Sequence, residues 1–130
     1  MIVVDASAVL ETLLRTPAAA SVERRLFEPS QTLHAPHLLD VEVAQVVRRY
    51  AGIGEIDAER GRMALTDLAD LPLHRYPHDF LLQRVWELRN NFTAYDAMYV
   101  ALAEALDAPL LTRDKRLAAS PGHHARIDLI

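Results

Sequence analysis

The 130-residue chain has no cysteine, only four glycines and a single lysine, Lys115. Without cysteine it can form neither a disulfide bond nor a cysteine-ligated zinc site. Neither GxGxxG nor GxxxxGK[ST] occurs, so nucleotide binding through a glycine-rich phosphate loop is excluded. Arginine supplies nearly all the positive charge and suits bidentate contacts with phosphate, although an arginine excess can equally reflect genome composition.

A basic excess and long apolar runs are also absent. The formal net charge is −4, and 51% of the residues are hydrophobic and 25% charged, a composition typical of globular domains. No uncharged run reaches membrane-spanning length. Asp5 and Glu11 interrupt the apolar N-terminal stretch, which therefore does not read as a signal peptide. We expect a cytoplasmic protein in which residues 1–130 form a single domain.

Short apolar segments alternate with segments of helical periodicity along the whole chain. Strands are predicted at residues 2–4, 32–35, 72–76, 109–112 and 126–130. Helices are predicted at residues 6–15, 16–27, 38–50, 57–71, 79–90, 93–106 and 115–119. This alternation predicts an α/β fold in which helices cover both faces of a parallel sheet.

Two acidic residues follow the ends of apolar strands. Asp5 follows Ile2–Val4 and has a hydroxyl, Ser7, two positions later; Asp114 follows a strand that ends at the hydroxyl of Thr112. Either acid could simply cap the helix after it, because aspartate favours that position. Ligands of open α/β sheets bind beyond the carboxyl ends of the strands, so a ligand-binding role stays open for both.

Two further acids lie in early turns of predicted helices. Glu42 is at the edge of an apolar stripe centred near Val43, roughly 60–80° from its centre at 100° per residue. It could be a surface glutamate or point into a cleft, and Asp40 on the other side of the stripe is the weaker candidate. Asp96 stands three residues after Thr93, as in a capping box, and an acid in a first turn also benefits from the helix dipole.

In a doubly wound sheet these four acids would converge on one cleft. Two carboxylates about 4 Å apart repel each other by about 4 kcal/mol at a surface-like effective dielectric constant. Four of them are costly to hold together unless some are protonated or a cation binds. A ligand set of oxygen atoms alone suits Mg²⁺ or Mn²⁺.

Four segments of the chain, taken in order, resemble the PIN domain and more narrowly the VapC-type ribonuclease toxins of VapBC toxin–antitoxin modules. They are Val3-Val-Asp5-Ala-Ser7, Leu39-Asp-Val-Glu42, Tyr95-Asp96-Ala-Met-Tyr99-Val-Ala-Leu-Ala-Glu104 and Leu111-Thr112-Arg-Asp114. The resemblance covers essentially the whole chain. It implies a PIN-like three-layer α/β/α sandwich with a short, central, mainly parallel sheet.

The resemblance also implies an active site and partners. The acidic set around Mg²⁺, for which Mn²⁺ would substitute, would be Asp5, Glu42, Asp96 and Asp114, with Ser7 and Thr112 as supporting hydroxyls. Asp5 and Asp96 are expected to bind the metal directly, and the other two acids directly or through water. The expected reaction is hydrolysis of RNA by metal-activated water, which leaves a 5′-phosphate and a 3′-hydroxyl. A cognate VapB-type antitoxin and a homodimer are the expected assemblies.

Other side chains are candidates for holding RNA. The arginines that could rim the cleft and bind phosphates, if they are not simply solvated or ion-paired, are Arg15, Arg48, Arg49, Arg113 and Arg116. Tyr95 and Tyr99 could stack on bases, or they could pack in the core, which their helical spacing also fits.

Three other functions compete with a metal-dependent ribonuclease toxin. A phosphoacceptor receiver domain would need adjacent acids after the first strand, whereas Asp5 is followed by alanine, and Lys115 lies in the wrong context for its conserved lysine. A non-catalytic PIN module would be marked by loss of one or more of the four acids, and all four are present. A PIN nuclease of RNA processing, outside a toxin pair, remains an alternative.

Overall fold

A computed structural model of the chain, which describes all residues 1–130, contains one five-stranded sheet. Its strands are β1 (Ile2–Val4), β2 (Leu33–Pro36), β3 (Leu73–Tyr76), β4 (Leu110–Thr112) and β5 (Ile127–Leu129). They lie in the order β3-β2-β1-β4-β5, and every neighbouring pair is parallel. The predicted α/β fold with a short parallel sheet is therefore confirmed.

Seven α-helices connect the strands. They are α1 (Ala6–Leu13), α2 (Ala19–Leu26), α3 (Leu38–Gly52), α4 (Ala58–Asp70), α5 (Leu82–Glu87), α6 (Ala94–Leu106) and α7 (Lys115–Ala119). None of them is both long enough and apolar enough to cross a membrane. Helices α1 and α3 pack on each other and against the sheet, and they carry α2 and α4 on their outer side. Helices α5 and α6 pack together, and α6 lies against β1, β2 and β4.

Several helix boundaries differ from the predicted ones. Helix α1 stops at Leu13, because the chain turns through a left-handed conformation at Arg15 (φ 53°). The second helix begins at Ala19 rather than at residue 16, after a turn that includes Pro17. The helix predicted at 79–90 is a 3₁₀ turn, Asp79–Leu81, followed by the short α5, since the chain returns to irregular turns after Glu87.

The order of the strands in the sheet reverses between β1 and β4. The chain moves outward from β1 to β2 and β3, and then returns to the other side of β1 to form β4 and β5. Ligands of doubly wound sheets bind beyond the carboxyl ends of the strands at such a reversal of strand order. Asp5 directly follows β1 there, and Thr112 ends β4.

Candidate active site

Asp5 is buried at the end of β1, with 6% of its surface exposed. Its Oδ1 accepts hydrogen bonds from the Ser7 hydroxyl at 2.6 Å and from the Ala8 backbone N–H at 3.1 Å. Its Oδ2 accepts from the Thr112 hydroxyl at 2.5 Å. The helix-capping role is therefore confirmed. The two bonds to Oδ1 use both of its lone pairs, while Oδ2, which accepts one bond, keeps a lone pair for a further ligand.

The two hydroxyls tie the loop after β1 to the loop after β4. Thr112 is fully buried, and its Oγ1 accepts the Asp114 backbone N–H at 3.0 Å. The Ser7 Oγ accepts the Arg113 backbone N–H at 2.9 Å and lies 3.4 Å from the Thr112 Oγ1. Ser7 and Thr112 therefore fix the orientation of the Asp5 carboxylate.

Asp114 caps α7 in the same way as Asp5 caps α1. Its Oδ1 accepts from the backbone N–H groups of Arg116 at 2.9 Å and Leu117 at 3.2 Å. A third of its side chain is exposed, and Oδ2 lies 4.0 Å from the Arg116 guanidinium. Capping thus uses one carboxylate oxygen, while the other faces the site.

Glu42 lies half-buried on α3, at the edge of the face that Leu39, Val43 and Val47 bury. The phenol of Tyr99, from α6, donates a hydrogen bond to its Oε1. Burial and the neighbouring Glu42 charge raise the pKa of Tyr99, so the phenol stays protonated and can only donate. Asp40, the weaker candidate on this helix, points elsewhere and forms an ion pair of 2.8 Å with Arg75.

Asp96 occupies the first turn of α6, which Thr93 caps. The Asp96 backbone N–H donates to the Thr93 hydroxyl at 3.2 Å, one of the two bonds of the predicted capping box. The Asp96 carboxylate lies 3.6 Å from the Arg116 guanidinium, so Arg116 spans Asp96 and Asp114. The acid in the first turn of α6 therefore faces the acid in the loop after β4.

Electrostatic coupling links the four carboxylates in a ring. Burial, and next the charge on Asp114, raises the pKa of Asp96; burial raises that of Asp5, with a smaller upward effect of Asp114. Burial also raises the pKa of Glu42, and the charges on Asp96 and Asp5 raise it further. Each acid is thus electrostatically coupled to two of the others. Folding brings together negative charges that a cation would stabilise.

The side chains around the ring provide the type of ligand atom that a hard divalent cation prefers. Carboxylate and hydroxyl oxygens are the ligands that Mg²⁺ and Mn²⁺ prefer. No three acidic or histidine side chains are grouped closely enough to hold a metal ion by themselves. Such a grouping is not needed for Mg²⁺, which usually keeps several waters and is held through one or two carboxylates together with a substrate phosphate.

Only two of the five predicted RNA-binding arginines lie at this ring. Arg116 contacts its acids directly, and Arg113 pairs with Glu11 at 3.6 Å while its backbone binds Ser7. Arg15 follows the far end of α1, about 15 Å along the helix axis from Asp5, and lines a separate cavity of about 600 Å³. Arg48 and Arg49 are exposed near the far end of α3.

The two tyrosines of α6 differ sharply. Tyr99 is 2% exposed and packs in the core, whereas the Tyr95 ring is 62% exposed beside the ring of acids. The hydrogen bond from Tyr99 to Glu42 was not expected from the sequence. The signal for it was the three-residue spacing from Asp96, which puts Asp96 and Tyr99 on the same side of α6.

The chain is similar in sequence to proteins of one family over nearly its full length. A model of the PIN domain family matches residues 2–122. Ribonuclease VapC1 of Mycobacterium tuberculosis is 50% identical over 129 residues, which cover 98% of this chain and 96% of the relative. Ribonuclease VapC12 of the same organism is 45% identical over 130 residues, covering 100% of this chain and 99% of the relative.

Solved structures share the same arrangement of strands and helices. The crystal structure of PAE2754 from Pyrobaculum aerophilum superposes with a TM-score of 0.71 at 25% identity, covering 99% of this chain and 83% of that one. Mycobacterium tuberculosis VapC20, described as a sarcin–ricin loop cleaving toxin, gives 0.69 at 15% identity over 92% and 94% of the two chains, a likeness of fold alone. On the match to the family model and the extent of identity with its relatives, this chain belongs to the PIN-domain family and, within it, to the VapC ribonucleases.

Proposed function

We propose that the protein is a divalent-metal-dependent endoribonuclease, the toxin of a type II toxin–antitoxin pair. The observation that carries the proposal is the ring of four carboxylates at the reversal point of the sheet. Each acid comes from a different segment of the chain. The chain is also 50% identical in sequence to a ribonuclease over nearly its full length. An acidic ring without a cation would repel the RNA backbone, so a dication is the element that reconciles the ring with this substrate.

Asp5 and Asp96 are the proposed direct ligands. Asp5 is held by three hydrogen bonds and cannot rotate away, and both Asp5 and Asp96 are electrostatically coupled to Glu42 and Asp114. Glu42 and Asp114 complete the ring and would bind the ion directly or hold a water on it. Burial raises the pKa of Glu42, and the hydrogen bond from Tyr99 opposes this effect because it stabilises the ionised carboxylate.

When bound, Mg²⁺ or Mn²⁺ supplies a water of lowered pKa and compensates charge on the scissile phosphate. The chain itself supplies the acids, the hydroxyls that orient Asp5, and the guanidinium of Arg116 for a neighbouring phosphate. No histidine lines the two cavities that contain Glu42 and Asp96, so the site is not built for the alternative route through the ribose 2′-hydroxyl. The proposed products are therefore a 5′-phosphate and a 3′-hydroxyl.

The proposed partner is a VapB-type antitoxin that neutralises the enzyme in the cytoplasm. Two structural neighbours are toxin–antitoxin complexes, VapBC2 of Rickettsia felis and a complex from Klebsiella pneumoniae, with TM-scores of 0.67 and 0.63. A basic side chain of an antitoxin would satisfy the acidic ring in place of the metal. We further propose that the toxin forms a homodimer, which sedimentation of the purified chain would test.

The test of the function is cleavage of total RNA with Mg²⁺, Mn²⁺ or EDTA, followed by chemical mapping of the new ends. We expect cleavage only with a metal, and ends that carry 5′-phosphate and 3′-hydroxyl. Asp114→Asn should be inactive although asparagine preserves the helix cap. The matched control is Asp70→Asn on the exposed end of α4, which should cleave like the wild type. Cleavage that persists in EDTA, or ends with cyclic phosphates, would overturn the proposal.

A further inference from the structure

An apolar cavity of about 460 Å³ opens beside the acidic ring. It lies where α1, α3 and the first turn of α6 meet, and it shares Ser7 and Glu42 with the site described above. Its walls include Leu10, Val41 and Tyr95, and two of these are unusually exposed for apolar or aromatic side chains, Val41 at 68% and Tyr95 at 62%. A substrate bound at the ring would therefore touch this cavity.

The charges of the lining residues indicate what kind of group the cavity can bind. None of its nine lining residues is cationic, and Glu42 is its one ionisable acid. A phosphate would be repelled there, whereas Arg116 offers a cation on the side of the ring formed by Asp96 and Asp114. The backbone of a bound strand is thus favoured on the side of Arg116, and an uncharged group on the side of the cavity.

The cavity also holds the two kinds of side chain with which proteins recognise unpaired bases. Tyr95 presents an exposed aromatic ring, which is a platform for stacking. Gln45 follows Glu42 by three residues on α3 and so lies on the same side of that helix, where it lines the cavity with an amide that can both donate and accept. Stacking gives affinity for any base, and the amide can distinguish one base edge from another.

We propose that this cavity is a subsite for one unpaired nucleobase next to the scissile phosphate, with Tyr95 as its stacking platform and Gln45 as its specificity-determining residue. The inference rests on the proposed ribonuclease function and adds to it a feature of the substrate. The RNA must present a splayed-out base beside the cut, so single-stranded loops are favoured over continuous duplex. The sequence specificity of cleavage would then depend on the identity of the base at one position next to the cut.

The test uses the full chain with Mn²⁺ and a pool of RNA hairpins whose loop is randomised, and sequences all cut ends. We expect the wild type to prefer particular bases at one position beside the cut, and Gln45→Ala to lose that preference while still cutting. On one fixed hairpin, Tyr95→Ala should lower kcat/KM on the order of tenfold to a hundredfold, mainly through KM, and Tyr95→Phe should restore it. Gln83→Ala, an exposed glutamine on α5, is the matched control and should change neither readout.

Each contrary result has a separate meaning. If the wild type cuts but has no base preference at a flanking position, or if Gln45→Ala and Tyr95→Ala retain its pattern and rate, the subsite is wrong while the ribonuclease stands. If Tyr95→Ala instead converts a dimer into a monomer, or loses antitoxin binding with its base preference intact, a protein covers the cavity and the subsite is overturned. Absence of any cleavage by the wild type overturns the proposed function, and the subsite with it.

Discussion

Replacing Asp5 with asparagine removes one negative charge from the acidic ring and preserves the shape of the side chain. The asparagine oxygen can still accept from the Ser7 hydroxyl and the Ala8 N–H, as the Asp5 Oδ1 does. Its amide nitrogen would face the Thr112 Oγ1, which now donates to Asp5 and accepts from the Asp114 N–H. A hydroxyl has two acceptor lone pairs, so Thr112 can accept this second donor after its own O–H rotates away.

The expected effect on folding follows from the pKa of Asp5. Burial and the Asp114 charge raise it, which means that folding disfavours the ionised carboxylate relative to the neutral form. In EDTA at pH 7.5 the free energy of unfolding of Asp5→Asn should therefore equal or exceed that of the wild type. Asp5→Ala should be lower by about 2–5 kcal/mol, because it loses a helix cap and leaves two hydroxyls without their partner.

Thermal unfolding with and without Mn²⁺ separates the two roles of Asp5. At a Mn²⁺ concentration of 100 times Kd, the wild type should gain about 2.7 kcal/mol, which is roughly 8–12 °C in Tm for a domain of this size. Asp5→Asn should lose most of this shift and all cleavage. If Asp5→Asn unfolds as readily as Asp5→Ala, the charge serves the fold and the metal role is wrong. A full Mn²⁺ shift in Asp5→Asn would refute the reasoning as directly.

Three further predictions follow from contacts around the ring. Tyr99→Phe removes the hydrogen bond that lowers the pKa of Glu42, so the acidic limb of the pH profile of kcat/KM should move to higher pH and the free energy of unfolding should fall by about 1 kcal/mol. Without metal, in EDTA, folding raises the pKa values of Asp5, Glu42 and Asp96 above their ordinary values of 3.8 to 4.5. At pH values above about 4, the folded state therefore binds more protons than the unfolded state. These acids should therefore make stability decline as pH rises from about 4, and denaturant titrations should find a shallower decline in Asp96→Asn. Arg116→Gln should reduce the salt dependence of RNA affinity by about one phosphate contact, a slope change of about 0.7, without weakening Mn²⁺ binding; an unchanged slope would place Arg116 off the RNA path.

The sequence was most informative where local patterns decide the structure. Apolar runs followed closely by an acid predicted both β1 with Asp5 and β4 with Asp114, and Glu42, which was predicted at the edge of its apolar stripe, is half-buried. Those properties depend on residues close together in the chain. They are therefore visible without knowledge of the tertiary contacts.

Capping and ligand binding were alternatives in the sequence, and the structure shows that a capping acid can also belong to the acidic ring. Asp5 accepts the Ala8 N–H, and Asp114 accepts two N–H groups of α7, yet both acids are coupled to other members of the ring. A carboxylate offers about four lone-pair positions, so one cap does not use up the group. Helix capping in fact holds these two acids in place.

The convergence of distant segments could be predicted, but the individual side-chain contacts between them could not. The hydroxyl of Thr112 binds Asp5 across 107 residues of sequence, and the phenol of Tyr99 reaches Glu42 across 57. Tyr95 and Tyr99 looked equivalent because both fit the helical spacing, and only the packing of α6 against the sheet buries one and exposes the other. Periodicity gives the face of a helix but not what lies against it.

Direct titration of the purified toxin with Mn²⁺, in the absence of RNA, is the most direct test of whether the carboxylate ring binds a metal ion. Calorimetry should detect Mn²⁺ binding to the wild type and to the control Asp70→Asn, and little or none to Asp96→Asn. Asp96 is chosen because its loss removes a charge from the ring and leaves the Thr93 cap on α6 in place. Binding of equal strength by Asp96→Asn, or no binding by the wild type, would contradict a metal site formed by the ring.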